Sequence, residues 1–170
     1  MNKLQSNTSK APPDPAVRAQ LLFLLQGGGA HMNLDEAVAN FSIEHYNTRP
    51  PNVPYTFWHL LEHIRIAQWD ILDFIGNASY EHLNWPDDYW PHQDTQADLA
   101  QWEATIAAIR SDLAKLKALI EDPATDLYSD LTHAEGYNIL REALLVADHN
   151  AYHIGEFAIL RQVVGAWTET

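Results

Sequence analysis

The side chains best suited to chemistry lie in one stretch near the carboxyl end of the sequence. His149 and His153 are four residues apart, and Glu156 follows three residues later. On a helix these spacings place all three side chains on the same side. Two imidazoles and a carboxylate in an apolar stripe are costly to bury unless hydrogen bonds or a ligand satisfy them. Neutral imidazoles are common ligands of divalent metals, so this stretch is a candidate metal site.

The surrounding segment, from about Gly136 to Gly165, is predicted to form one long helix. Its apolar residues recur in steps of three and four that fit one helical face: Ile139, Ala143, Val146, Phe157, Leu160 and Val164. The two histidines continue this stripe. The sequence is not His-Glu-x-x-His, so a zincin metalloprotease has no support. Paired histidines on a helix can also be hydrogen-bonded core or interface residues, and spacing alone favours neither interpretation.

Composition excludes several classes of function. The 170 residues contain no cysteine, which removes disulfides, thiolate nucleophiles and cysteine-based zinc sites. Ten Lys and Arg stand against 23 acidic residues, and the net charge of −13 argues against a nucleic-acid partner. No apolar run approaches the roughly 18 residues of a membrane span. With no signal-peptide pattern in view, we expect a soluble, cytoplasmic protein with no membrane partner.

The amino-terminal part is predicted to contain a leader and a helix in two pieces. Residues 1–12 are polar and are expected to be a disordered leader, followed by a single domain over residues 13–170. A first helix begins at Asp14 or Pro15 and ends at Gly27-Gly28-Gly29. Those glycines lack the rest of a phosphate-binding signature, so a helix cap is the favoured interpretation. Asn33 caps a second piece that runs to about Tyr46, and the two pieces could act as one kinked first helix.

A second helix, from Tyr55-Thr56 to about Gly76, also brings histidine toward the core. Its inner stripe comprises Leu60, Ile64, Ala67, Ile71 and Phe74. His63 lies at the edge of that stripe, with His59 one turn before it and Asp70 two turns after it. This helix can therefore supply a third imidazole to a site shared with His149 and His153.

The middle of the chain is predicted to hold an aromatic loop and a helix without histidine. Residues 85–91 contain two Trp-Pro pairs, which fit either a loop packed on the end of the helices or the wall of a pocket. From Thr95 to about Glu121, apolar residues follow a near-heptad pattern: Leu99, Trp102, Ile106, Ile109, Leu113, Leu116 and Ile120. No strand-like alternation of useful length is found. The fold class is therefore all-α, a four-helix bundle with a kinked or split first helix.

Two segments resemble the DinB-like (DinB/YfiT) superfamily of metal-binding four-helix bundles. Residues 141–161, which contain both histidines of the pair, resemble its last helix, and residues 58–72 resemble its second. The loop at 85–91 is similar to that of one branch, so the resemblance covers most of residues 15–167. In these proteins three histidines bind one divalent metal, commonly nickel or zinc. The resemblance thus implies metal ligation by His63, His149 and His153.

Glu156 is the residue at which this chain departs from the family pattern, because a glutamine often stands there. If its carboxylate reaches the site, it could be a fourth ligand, a hydrogen-bond partner of a ligand or a general base. A salt bridge at the bundle surface is the alternative. His59 is the alternative ligand to His63 on the second helix.

The other candidates are weaker. His31 and His133 lie at loops or helix ends and could approach a pocket mouth, whereas His45, His82 and His92 are expected to be exposed. Arg65 and Arg161 could hold an anionic substrate, and ordinary salt bridges explain them equally well.

Characterised relatives include transferases and isomerases that use low-molecular-weight thiols activated by the metal. The resemblance therefore implies a metal-dependent transferase or hydrolase acting on a small electrophile, with a thiol or water as nucleophile. A non-catalytic metal-binding or dimerising bundle is the alternative. The aromatic loop and apolar helix edges make a homodimer the expected assembly under either hypothesis.

Overall fold

The structure is a computed structural model that describes residues 14–167. The predicted leader lies outside the described residues, and the single domain over 13–170 stays a prediction. These described residues form five α-helices, two short 3₁₀ turns and one two-stranded antiparallel hairpin. The bounds of the α-helices and strands are α1 Pro15–Gln26, α2 Leu34–Val38, α3 Phe57–Gly76, α4 Leu99–Glu121, β1 Asp130–Leu131, β2 Ala134–Asn138 and α5 Ile139–Val163.

Each long helix begins at a side chain that caps its free backbone N–H groups. Asp14 accepts from two of these groups at the start of α1, with Pro15 in the first helical position. Thr56 caps α3, Asp98 caps α4 and Asn138 caps α5. These caps fix the helix starts, so the direction in which α3 and α5 present their histidines follows from local sequence.

The caps also correct two predicted boundaries. The helix predicted from Thr95 begins four residues later, because Asp98 and Gln101 form a reciprocal capping box. Leu99 is consequently 48% exposed rather than part of the inner stripe. The helix predicted from Gly136 begins at Ile139, because the residues before it form strand β2. This short hairpin was not predicted from the sequence.

The first part of the described chain contains two separate helices, α1 and α2. Gly27, with φ of 68°, ends α1 and its N–H donates to the carbonyl of Leu24. Asn33 and Glu36 form a capping box that starts α2. The second piece is shorter than predicted: α2 ends at Val38, and one 3₁₀ turn, Ile43–His45, follows.

Two apolar clusters fill the interior, and α5 contributes to both. One cluster joins α3 and α4 to the carboxyl-terminal half of α5 through Leu60, Ile64, Trp102, Ile106 and Phe157. The other joins α1 and α4 to the amino-terminal half of α5 through Leu21, Leu25, Leu116, Ile120, Ala143 and Val146. Along α5, His149 and His153 fall between these two clusters. Burial on both sides therefore holds the turns of α5 that carry the histidine pair.

The contacts between helices complete the frame of the site. α3 packs against both α4 and α5, and α1 packs against the same two helices. Within residues 14–167, none of the helices combines the length and the apolar character that crossing a membrane requires.

Candidate metal centre

Three histidine side chains from two helices converge at one point. His63 comes from α3, and His149 and His153 come from successive turns of α5. The nitrogen atoms that they offer all lie within 4.8 Å of one another. The Nε2 atoms of His63 and His149 are 3.1 Å apart. The structure thus brings together the three histidines predicted from the sequence.

The position of His63 is fixed by the aromatic loop at residues 85–91. The ring is 2% exposed, and its Nδ1 lies 2.9 Å from the carbonyl oxygen of Tyr89. Because a carbonyl can only accept, Nδ1 carries the proton and Nε2 keeps its lone pair. The ring of Trp90 stacks on the imidazole, with centroids 4.0 Å apart and planes within 2°. The loop therefore forms a wall of the site and orients one candidate ligand.

His153 is oriented by a carboxylate instead of a carbonyl. Its Nδ1 lies 2.8 Å from Oε2 of Glu156, and Oε1 of Glu156 accepts a hydrogen bond from the Tyr55 hydroxyl. A carboxylate that accepts from one ring nitrogen of a ligand histidine fixes the tautomer. It also makes the other ring nitrogen more basic, and so a stronger ligand for a metal. Both oxygens of Glu156 are thus engaged in hydrogen bonds. The alternative considered for Glu156, a salt bridge at the bundle surface, does not describe this arrangement, because the partner of the carboxylate is a histidine of the site.

Burial keeps two imidazoles of this site neutral, those of His63 and His149. It lowers the pKa of His149 to about 4, and the neighbouring His153 and His63 add to the effect. Burial also lowers the pKa of His63, although the Tyr89 carbonyl opposes the change. Burial alone would raise the pKa of Glu156, but hydrogen bonds from His153 and Tyr55 outweigh it and lower that pKa. At neutral pH the site therefore contains neutral imidazoles at His63 and His149 beside the ionised carboxylate of Glu156.

This set of donors fits a divalent metal ion. Metal-binding histidines must be neutral, and their second nitrogen usually donates to a carbonyl or carboxylate, as in His63 and His153 here. Nitrogen ligands on a tetrahedral ion with bonds of about 2.0–2.1 Å are roughly 3.3 Å apart. The 3.1 Å between the two Nε2 atoms is close to that spacing. The three histidines could therefore hold one metal ion with modest adjustment of the rings.

The remaining histidines serve the fold or lie at the surface. His59 is buried and its Nε2 lies 2.8 Å from the carbonyl of Thr95, away from the three-histidine group. His133 contacts the carbonyl of Phe74 near the end of α3, and His31 contacts the carbonyl of Met32. His82 and His92 are exposed, as predicted. His45 was also expected to be exposed, but it is half-buried.

Neither predicted arginine is placed to hold a substrate at the three-histidine group. Arg65 pairs with Glu62 on its own helix, at 2.7 Å. Arg161 is 1% exposed and donates to the carbonyls of Ala37 and Ala39. It is a buried connection between α5 and α2, which sequence reasoning did not identify.

Two partners of the site were also missed from the sequence. Tyr55 lies just before α3, where its hydroxyl reaches Glu156 and its ring stacks on Trp90 at 4.8 Å. Tyr89 acts on His63 through its main-chain carbonyl. The aromatic loop and its prolines indicated a pocket wall, but no pattern distinguished these two tyrosines.

Comparison with known proteins gives one family match. Searches of curated proteins and of solved structures returned no match. The family model of the DinB superfamily matches residues 28–157, a range that includes α3, the aromatic loop and all three converging histidines. Since this match spans well over half of the 170 residues, the chain belongs to the DinB superfamily.

Proposed function

We propose that this protein is a divalent-metal-dependent enzyme whose metal ligands are His63, His149 and His153. The observation that carries the proposal is the convergence of three imidazole nitrogens within 4.8 Å, beside an ionised carboxylate. Nickel and zinc are the proposed ions, since both accept imidazole nitrogen. The site would activate a low-molecular-weight thiol or water for attack on a small electrophile.

Each residue has a defined part in this proposal. When bound, a divalent cation supplies the Lewis acidity that makes a thiol or water nucleophilic near neutral pH. His63 and His153 present Nε2 toward the group because Nδ1 is held by Tyr89 and Glu156, respectively. Trp90 covers one face of the His63 ring and excludes water from it.

Glu156 is proposed to orient His153 rather than to ligate the metal. Its two oxygens face Nδ1 of His153 and the hydroxyl of Tyr55. Each oxygen keeps a second lone pair, but both already accept from groups that hold the carboxylate behind His153. The orienting role is therefore the one that the observed hydrogen bonds support directly.

The proposed scaffold is a four-helix bundle formed by the long helices α1, α3, α4 and α5. The packing of α3 and α1 against both α4 and α5 supports this arrangement. The α2 segment would then be an added turn, and α1 with α2 the split first helix. Ligands carried by two packed helices are held more firmly than ligands on loops, which suits a preorganised metal site.

A second candidate is a dimerising bundle in which metal binding is structural. The observation that favours it is a set of exposed apolar residues along α5, spaced seven and four apart: Leu145, Tyr152, Ile159 and Val163. Such a stripe is suited to pairing with a second copy. Sedimentation of the wild type against Ile159→Glu tests this homodimer, which the variant is expected to dissociate.

Metal content decides whether the proposed site exists. Protein purified without a histidine tag is expected to hold about one metal ion per chain by elemental analysis. His149→Ala should lose it, and the exposed His92→Ala should keep it as a matched control. Sub-stoichiometric metal in both the wild type and His149→Ala would refute the site.

Thiol chemistry decides whether the site is catalytic. The metal-replete protein is assayed with a panel of low-molecular-weight thiols and small electrophiles, with and without chelator. We expect turnover that the chelator and His153→Ala both abolish. A metal-replete protein inert toward the whole panel would favour the structural candidate.

A further inference from the structure

Asp70 lies two helical turns after His63 on α3, and one loop residue is attached to both. Oδ2 of Asp70 accepts a hydrogen bond of 2.6 Å from the Tyr89 hydroxyl. The carbonyl oxygen of Tyr89 accepts from Nδ1 of His63 at 2.9 Å. Residues seven apart lie on the same side of a helix, so Tyr89 spans two turns of α3. The side chain of Tyr89 is therefore fixed at one point and its main chain at another.

A second tyrosine shares the Asp70 carboxylate but does not contact His63 through its main chain. Oδ1 of Asp70 accepts a hydrogen bond of 2.8 Å from the Tyr80 hydroxyl, and Asp70 is only 7% exposed. Burial and the carboxylate raise the pKa of Tyr89 to about 12 and raise that of Tyr80 as well. Both hydroxyls are therefore protonated donors at neutral pH. The charge-assisted hydrogen bond from Tyr89 to this buried carboxylate anchors the loop residue that also contacts His63.

The position of Tyr89 controls what the loop does to His63. The residue supplies the acceptor that keeps the proton on Nδ1, and the next residue, Trp90, stacks on the imidazole. The carbonyl of a loop residue can fix the tautomer of His63 only if the loop stays in one position. The hydroxyl bond to Asp70 ties the Tyr89 side chain back to α3.

We propose that Asp70 is a positioning residue for the three-histidine site, acting through Tyr89 to fix the tautomer and orientation of His63. The inference rests on the proposed metal centre for its consequence, since a fixed Nε2 lone pair is what a metal needs. The effect of Asp70 on the tautomer of His63 concerns the metal-free protein alone. It can therefore be tested separately from the effect on metal affinity.

The first test is the tautomer of His63 in metal-free protein. Long-range proton–nitrogen NMR spectra of protein labelled with ¹⁵N-histidine distinguish a proton on Nδ1 from one on Nε2. The wild type is expected to show the Nδ1–H form of His63. Tyr89→Phe removes the hydroxyl but keeps the ring and the carbonyl, and should give a mixture of tautomers. Tyr80→Phe is the matched control, because it removes the other hydroxyl from the same carboxylate and should retain the wild-type tautomer.

The second test is cobalt(II) affinity, measured by competition with a chromophoric chelator. Tyr89→Phe is expected to weaken binding about tenfold or more, as loss of a residue that orients a ligand does. Tyr80→Phe should stay within about threefold of the wild type. Asp70→Ala should match Tyr89→Phe, and the double variant should be no weaker than either, since both act through one connection.

The outcomes separate this inference from the proposed function. A wild-type tautomer in Tyr89→Phe, or equal losses in Tyr89→Phe and Tyr80→Phe, would overturn the positioning role. Unchanged cobalt affinity in His149→Ala would instead overturn the metal centre, whatever the His63 spectra show. Thermal unfolding of the two phenylalanine variants is measured alongside, and equal midpoints assign any difference in tautomer or affinity to Tyr89 itself.

Discussion

Oε2 of Glu156 lies 2.8 Å from Nδ1 of His153, one turn earlier on α5, and its other oxygen accepts from the Tyr55 hydroxyl. The carboxylate is therefore placed behind a candidate ligand rather than among the three converging nitrogens. This is the position where the family resemblance implies a glutamine. The extra negative charge therefore lies directly against the His153 ring.

Replacing that charge while keeping the shape tests its effect. In Glu156→Gln the side-chain oxygen can still accept a hydrogen bond from Nδ1 of His153. Without the negative charge behind the ring, however, Nε2 becomes a weaker ligand for the metal. We expect metal affinity to fall roughly tenfold, as removal of such partners generally causes. Chelator competition at pH 7.5 measures the change, with the exposed Glu135→Gln as control. Equal affinities in all three proteins would show that the carboxylate does not influence the ligand.

The metal-free protein should be sensitive to mild acid. Burial, reinforced by His153 and His63, lowers the pKa of His149 to about 4, and burial lowers that of His63 too. An unfolded histidine titrates near pH 6.5, so between pH 6.5 and 4 the unfolded chain takes up a proton that His149 in the folded chain does not. The contribution of this group to the free energy of unfolding is fully present above about pH 6.5, and it is lost as the pH falls through that window. After allowance for partial exposure, the loss from pH 7 to 5 is on the order of 2 kcal/mol.

Urea unfolding at pH 7 and pH 5 in the presence of chelator checks this dependence. The variant His149→Gln lacks the main titrating group and should show a clearly smaller loss. A wild-type stability that is flat across the window, or a slope that His149→Gln leaves unchanged, would contradict the assignment.

The sequence predicted the ligand-bearing helices well, because their information is local. Capping residues and three-and-four spacing located α3 and α5 to within a few residues. The same periodicity put His149 and His153 on the face that also carries Val146 and Phe157, both buried in the structure. Local rules failed where the apolar spacing and the capping residue pointed to different helix starts. At Leu99 the spacing predicted a buried position, but the Asp98 cap places this residue in the first turn, where it is exposed.

The partners of the ligands could not be predicted, because they depend on contacts between distant parts of the chain. Tyr55 meets Glu156 across 101 positions, and no spacing rule connects them. His63 is held by the carbonyl of Tyr89, and a main-chain carbonyl is present at every residue. Pattern therefore identified which side chains could bind metal, and only the packed structure shows what orients them.

Arg161 is predicted to stabilise the fold without acting on a substrate. Its guanidinium is buried and donates to three carbonyls, those of Ala37, Ala39 and Ala166. The compact ammonium of lysine cannot reach all of them, so Arg161→Lys should leave buried carbonyls unpaired. We expect a loss of about 2–3 kcal/mol in urea unfolding. Arg110→Lys, at an exposed ion pair, should change stability by less than about 0.5 kcal/mol.

Metal affinity of Arg161→Lys should equal that of the wild type, since its partners lie on α2 and at the end of α5. Normal stability combined with lost activity toward an anionic substrate would instead support the substrate-binding role considered from the sequence. Measuring both quantities on one preparation separates the two.

The hydrogen bond between Tyr55 and Glu156 should contribute to stability even without metal. Burial and the carboxylate raise the pKa of Tyr55, so its hydroxyl stays protonated and donates at neutral pH. A hydrogen bond to a charged acceptor contributes about 1.5–3 kcal/mol when shielded and less when partly exposed. A double-mutant cycle of Tyr55→Phe and Glu156→Gln in chelator should therefore give a coupling energy of about 1 kcal/mol. The control is Tyr128→Phe with Glu156→Gln, for which we expect additive effects. Additivity in the Tyr55 cycle as well would mean that the hydroxyl does not hold Glu156 against His153.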